Sequence, residues 1–296
     1  MKKRIMTVII TAMVVSTFLV GCDSTKSNYE KAVKYQEDQE YESAIEYFKK
    51  VGEYEDSNER LKECEILYAI QTDTTVPVVE GIKEGEVVEL EFGQDFNLEN
   101  YLKDTINITD NVSGKITQYL INTSESIFDA KTANIDTNKP GEYEVKVTAS
   151  DEAGNEAEIK FILKIKPLHI TRDNMTPVIY EGDYGKIKLS NIRYGTEWGI
   201  TGYRLTFDIE NNTDNEMAVL LGATYINDYG INAYTDISSV APGKKGSMDS
   251  YIRDEEITSE MENFTQIESN IFVSTNVMLG KSYLQIPVVI DRDVFE

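Results

Sequence analysis

The chain has 296 residues, enough for about two ordinary domains and a smaller one, and carries a formal net charge of -23. So acidic a chain is no partner for nucleic acid, and it is repelled by anionic lipid or phosphate-rich polymer unless cations bridge the two. One histidine and two cysteines, Cys22 and Cys64, leave no histidine pair for a metal, no cysteine framework for zinc and little basis for a histidine-driven catalytic relay.

At the start, Lys2, Lys3 and Arg4 precede an uncharged run from Ile5 to Val20, which closes in Leu19-Val20-Gly21-Cys22. These are the parts of an export signal: basic start, apolar middle, small residue at the cut. The apolar run is shorter than the ~20 residues of a spanning helix. With cysteine directly after Gly21, the segment resembles a bacterial lipoprotein signal. The resemblance implies a signal peptide over 1–21 with a lipobox of Leu19, Val20 and Gly21, and fatty acylation, palmitate included, of Cys22 as the new N-terminus. It further implies a chain held on the extracytoplasmic side of the cell membrane, since two acyl chains anchor stably where one does not. Asp23 fits a Gram-positive envelope, or retention at the inner membrane of a Gram-negative one.

Residues 22–71 form the first module. Tyr29, Ala32, Val33 and Gln36, then Tyr41, Ala44, Ile45 and Phe48, repeat at helical spacing around a break at Asp38-Gln39-Glu40 and predict a helical hairpin. A third helix is predicted from Ser57, with Leu61, Cys64 and Leu67 or Tyr68 inward, so Cys64 reads as a small buried hydrophobe. Ala32, Tyr35, Tyr41, Ala44, Phe48 and Val51 sit at the relative spacings of a tetratricopeptide repeat, and the segment resembles about one and a half such repeats. It departs from the family at Lys31, Gln39 and Asp56, where Leu, Gly and Pro are usual. A stack this short is expected to lean on its neighbour or on a partner, and Tyr29, Tyr35 and Tyr47 are its candidate partner-binding residues.

After Pro77 the period changes from helical to alternating. Val87 to Phe92, Ile106 to Ile108, Ile116 to Ile121, Tyr143 to Ala149 and Ile159 to Ile165 predict short strands with turns between them. Three turns stand out: Asp110-Asn111-Val112-Ser113-Gly114, Lys139-Pro140-Gly141-Glu142-Tyr143, and Asp151-Glu152-Ala153-Gly154-Asn155. Together they resemble the bacterial immunoglobulin-like domains of extracellular proteins, which implies a β-sandwich over 76–166. Gly114, Gly141 and Gly154 supply positive φ, and the Asp and Asn residues bond back to nearby amides. The same oxygen-rich side chains, Asp110, Asn111, Asp151 and Asn155, are also the candidate ligands for a Ca2+ ion; turn chemistry alone accounts for them equally well. No other cofactor is expected.

Residues 168–296 predict a second β-sandwich, with strands over Lys186 to Leu189, Tyr203 to Glu210, Ala218 to Ile226, Ile271 to Val273 and Leu284 to Ile290. Ile257, Met261 and Phe264 suggest a short helix between Asp254 and Phe264. Tyr194 and Trp198 lie in the glycine-broken stretch Tyr194-Gly195-Thr196-Glu197-Trp198-Gly199. They read either as a binding anchor on a loop or as aromatics folded back onto their own hairpin. His169 falls in an expected linker, Lys166-Pro167-Leu168-His169, a poor place for a rigid catalytic base.

The fold class that follows is multidomain and mainly β, with a helical hairpin first. No phosphate loop, metal-binding histidine pair or nucleophile elbow is present. The expectation is a non-catalytic, lipid-anchored protein that binds or scaffolds an envelope or surface component, either a protein or a polysaccharide. Two alternatives stay open: a solute-binding or sensory lipoprotein with a ligand or Ca2+ site between the β-domains, and an envelope hydrolase using paired carboxylates.

Overall fold

The computed structural model describes residues 24–123, 127–235, 239–275 and 282–296. Leu19, Val20, Gly21 and Cys22 lie outside the described residues. Among those described, no helix is long and apolar enough to cross a membrane. The chain is mainly β with three helices first, as the change of periodicity at Pro77 predicts. It divides into two compact units that are discontinuous in sequence. The first takes the chain up to Gly81 with Ile106–Leu120 and Val147–Ile159; the second takes Ile82–Thr105, Ile121–Lys146 and Lys160–Glu296.

In the first unit, helix α1 spans 24–37, α2 Tyr41–Val51 and α3 Ser57–Thr72. Their shared core is Ala32, Ala44, Phe48, Val51 and Cys64, the inward stripe that the spacing predicts. Gln39 takes the left-handed turn between α1 and α2 at φ 62°, where glycine would be free of strain. Polar bonds tie α1 to α3. The Tyr29 hydroxyl donates to Asp56 Oδ1 at 2.5 Å, Arg60 Nε donates to Asp56 Oδ2 at 2.9 Å, and Arg60 Nη1 donates to Gln36 Oε1 at 2.9 Å. The Tyr29 bond, and then Arg60, hold the Asp56 carboxyl below its ordinary range.

Strand β1 (Val78–Glu80) of this unit will pair with β3, whereas β2 (Val87–Leu90) belongs to the second unit. Helix α4 (Leu98–Thr105), also in the second unit, buries Leu98 and Leu102 and was not foreseen from the sequence. Strands β3 (Asn107–Asp110) and β4 (Gly114–Ile116) complete a three-stranded antiparallel sheet in the order β1-β3-β4.

Strand β5 (Tyr119–Thr123) follows, then the short pair β6 (Phe128–Asp129) and β7 (Asn134–Ile135), and the long strands β8 (Gly141–Ser150) and β9 (Glu156–Ile165). The sheet order is β2-β9-β8-β5, with β2 parallel to β9. Tyr143, Val145, Val147 and Ala149 on β8, and Ile159, Phe161, Leu163 and Ile165 on β9, are all buried, so the period-2 pattern fixes one face of each strand.

The C-terminal part of the second unit is a two-sheet sandwich around one core. One sheet runs β10-β20-β19-β15-β16 with β14 also on β19. Its strands are β10 (Leu168–Ile170), β14 (Met217–Leu221), β15 (Thr224–Ile226), β16 (Tyr229–Ile231), β19 (Gln266–Thr275) and β20 (Ser282–Asp291). The other runs β11-β12-β13-β18-β17, from β11 (Val178–Gly182), β12 (Gly185–Glu197), β13 (Ile200–Asn211), β17 (Tyr234–Thr235) and β18 (Lys245–Arg253).

Two expectations are corrected here. The stretch from Asp254 to Phe264 is not a helix: a single 3-10 turn over Asp254–Glu256 ends where Ile257 goes extended (φ -90°, ψ 104°). The β-branched pair Ile257-Thr258 disfavours a continuing helix, and Met261 and Phe264 reach the core from turns instead. His169 is not in a linker but on strand β10, which runs parallel to β20. Leu168 and Ile170 point inward, and His169 Nε2 lies 2.8 Å from Asp291 Oδ1.

Gly202 of β13 pairs with Arg253 of β18 and leaves no room for a side chain. An added Cβ there would sit 2.1 Å from the Ile252 carbonyl oxygen and 3.0 Å from Arg253 Cα, both backbone atoms that only move with the strand. Gly202→Ala is expected to cost about 2–3 kcal/mol and lower the melting temperature by roughly 5–10 °C, read by thermal circular dichroism.

Candidate functional site

Among the described residues the longest hairpin is β12–β13, which stays paired out to Glu197↔Ile200. A bulge between Leu189 and Asn191 shifts the inward phase of β12 from the odd positions Ile187 and Leu189 to the even position Ile192. That shift puts Tyr194 on the inward side, beyond the edge of the core. Its ring packs on Tyr203 of β13 at 4.8 Å, and Tyr203 meets Phe295 at 4.8 Å and Phe264 at 5.5 Å, both edge-on.

Trp198 and Gly199 form the two-residue tip at φ 52° and φ 79°. Positive φ at both positions is the geometry of a type I′ hairpin turn, which favours Asn-Gly. A bulky residue in the left-handed region is unfavourable. Trp198 nevertheless occupies it and is 90 % exposed. Of the two sequence readings, folding back holds for Tyr194, and exposure at the tip holds for Trp198.

Ion pairs tie the hairpin that carries Trp198 across its two strands, close to the tip. Glu197 accepts from Arg193, and Arg204 Nε lies 3.2 Å from the same carboxylate. Arg204 is itself buried, pairs with Asp249 at 3.2 Å and lies over the Tyr251 ring at 5.1 Å.

Beside the hairpin lies a cleft of about 550 Å³ with a floor of Tyr203, Phe264 and Phe295 and a rim that includes Tyr194, Asp254 and Glu262. Arg292 also lines it. Its guanidinium sits 4.6 Å over Phe264 and donates to the carbonyl of Glu262 at 2.5 Å. Burial pushes the Tyr194 hydroxyl up from its ordinary value, and its bond to Asp254 adds to the effect. A second cleft of about 410 Å³, lined by Gly199, Ile200, Thr201, Arg253 and Glu255, shares Asp254 with the first.

The first unit holds a separate feature, an acidic centre. Asp110 and Asp151, both expected from their turns, come together with Asp73 at the end of α3. One carboxylate oxygen of each lies within 4.8 Å of the others. The Asp110 carboxyl accepts from the amides of Ser113 and Val112, each at 2.8 Å, and these bonds hold it below its ordinary range. Asp151 accepts from the Asn155 amide at 2.8 Å and from Asn155 Nδ2 at 2.9 Å. Asn155 therefore positions a carboxylate with its N–H groups, while Asn111 offers its side-chain oxygen to the Thr75 hydroxyl.

The donor set fits a hard cation. Thr75 Oγ1 lies 2.5 Å from Asp73 Oδ1 and 3.3 Å from Asp110 Oδ2, besides its contact with Asn111. One hydroxyl proton cannot serve three acceptors, so oxygens face one another unshielded. Asp73 Oδ2 is buried without a hydrogen-bond partner. Among the described residues no ion pair involves these three aspartates. Clustered oxygens of net negative charge are what Ca2+ takes as ligands.

In the helical module Tyr29 packs edge-on to Phe48 and Tyr54, and its hydroxyl is held by Asp56. The Tyr35 and Tyr47 rings lie 5.4 Å apart and tilted by 31°, with Lys50 Nζ 4.5 Å from the Tyr47 ring. All three tyrosines lie half-buried against the helical core.

No family model and no curated protein matches the chain. Among solved structures, the chain is similar to the CBM51-2 and INT domains of Clostridium perfringens ZmpB, in complex with GlcNAc, at 12% identity and a TM-score of 0.23, over 72% of this chain and 48% of that one. It is also similar to human CDH23 EC21-23, at 14% identity and a TM-score of 0.25, over 73% and 63%. Bacteroides ovatus SGBP-B, in complex with a mixed-linkage heptasaccharide, matches at 8% identity and 0.23, over 73% and 71%. The chain thus spans less than two thirds of the first two, and likeness at these scores carries no argument.

Proposed function

We propose that the chain is a non-catalytic binding protein, anchored by lipid on Cys22 at the extracytoplasmic face of the cell membrane, that holds an envelope or cell-surface component at the Trp198 hairpin. The observation that carries this reading is the indole itself: 90 % exposed, in a backbone conformation that disfavours it, on a strand pair braced by Arg204. A residue kept in an unfavourable conformation with nothing packed on it points to a role outside the fold. Tryptophan is also among the residues that most often dominate the binding energy of an interface. The cleft supports binding over catalysis, since Arg292 is engaged with a main-chain carbonyl and Asp254 accepts from Tyr194. The helical module, with its tetratricopeptide-like spacing, lies next to the anchored end of the sequence and serves as the membrane-side spacer.

The test is retention of the full chain, in detergent, by cell-envelope fractions compared with Trp198→Ala. At least a tenfold loss for a folded variant supports the reading. Equal retention refutes it.

A second reading rests on Asp73, which joins the two expected aspartates: a Ca2+ ion at this centre ties the linker after α3 to the turns after β3 and β8. The candidate ion then belongs to the first unit, where Asp73, Asp110 and Asp151 all lie.

A further inference from the structure

Asp254 belongs to both clefts beside the β12–β13 hairpin, so the two form one trough that runs from Gly199, next to Trp198, to Phe295. Along β12, Trp198 lies four residues from Tyr194, or about 13 Å at the rise of a strand. A ligand that touches both is therefore extended.

The charge of the first cleft narrows its chemistry. Its carboxylates, Asp254, Glu262 and Glu296, repel an anion. A cation that binds through a ring face finds Phe264 already covered by the Arg292 guanidinium. A purely apolar ligand would strand the exposed Asp254 and Glu262 without water. A neutral chain of polyhydroxylated rings satisfies all three conditions. Its hydroxyls donate to the carboxylates and to the Tyr194 oxygen, whose own proton is held by Asp254, and its C–H faces stack on exposed aromatic rings.

Resting on the reading of the hairpin as the contact site, we infer that the trough is a binding site for a neutral oligosaccharide. Trp198 is the stacking platform at one end, Tyr194 the wall of the first cleft, and Asp254 and Glu262 accept hydrogen bonds from sugar hydroxyls.

The chain contains one tryptophan, so its indole fluorescence reports on Trp198 alone. The experiment titrates the full chain, in detergent, with maltohexaose, cellohexaose and chitohexaose up to about 10 mM, enough to detect a Kd near 1 mM. Polygalacturonate and choline serve as the anionic and cationic probes.

A saturable fluorescence change with at least one neutral hexasaccharide, weakened at least tenfold in the Asp254→Asn, Glu262→Gln double variant, is the expected result. Both substitutions are at exposed positions and keep the side-chain shape, so the variant's melting curve checks that the fold is intact. Silence with all three hexasaccharides overturns the inference, as does a response to choline or polygalacturonate alone. If the hexasaccharides fail but envelope retention still depends on Trp198, only the ligand class is wrong. If retention is independent of Trp198, the hairpin reading falls as well.

Discussion

Trp198→Asn is expected to make the protein more stable and a much poorer binder. Asn-Gly is the preferred pair for the tip geometry at 198 and 199, and a bulky side chain in the left-handed region costs roughly 1–2 kcal/mol that Asn largely avoids. At 90 % exposure the indole has almost no packing to lose. The gain should be about 1 kcal/mol, seen as a rise of roughly 2–4 °C in the melting temperature. Loss of an aromatic anchor typically costs 2 kcal/mol or more of binding, about thirtyfold in Kd. The opposite signs distinguish this variant from ordinary damage to the fold, which would lower both quantities. A fall in melting temperature would mean that the indole packs on the protein, and that the hairpin is a structural corner.

The acidic centre gives the second large effect. Millimolar Ca2+ should raise the melting temperature, and a chelator should reverse the rise. With a Kd near 10⁻⁴ M, typical of extracellular modules, about 10 mM Ca2+ contributes ~2.7 kcal/mol. Asp151→Asn should remove the response. The response should vanish in acid. The folded Asp110 carboxyl is held below its ordinary range, so its contribution is complete above the unfolded value and is lost as pH falls through the folded one. A melting temperature indifferent to Ca2+ at neutral pH would leave the aspartates as turn residues only.

The extent to which sequence foretold these features varied with how local the signal was. Tyr143, Val145, Val147 and Ala149 announce β8 because every inward position is apolar. Strand β18 escaped notice because one inward position is Ser250, which is fully buried and bonded to Thr235, so polarity masks the alternation. Helix α4 is only two turns long, with Leu98 and Leu102 as its signal, too few for a period to show. Asp110 and Asp151 could be picked out because each sits in a turn of recognisable chemistry. Asp73 could not: it follows a helix, in a linker without a motif, and only the fold brings it to the others. The cleft was equally hidden. Phe264, Arg292 and Phe295 come from turns with no shared pattern, and Tyr194 faces them because of one extra residue in β12.

The parallel pairing of β10 with β20 has a consequence for how the protein is made. Leu168 faces Val288, so the strand that begins the C-terminal sandwich finds its neighbour only when the last strand exists. Strand β2 likewise waits for β9, with Val87 facing Ile162. Pairings this distant are slow to form and leave apolar edges open meanwhile. In a growing chain the sheet of β2 can therefore close once Ile165 has been made, whereas β10 has no partner until Ile290 has, so the C-terminal sandwich is the last part of the protein to complete its pairing.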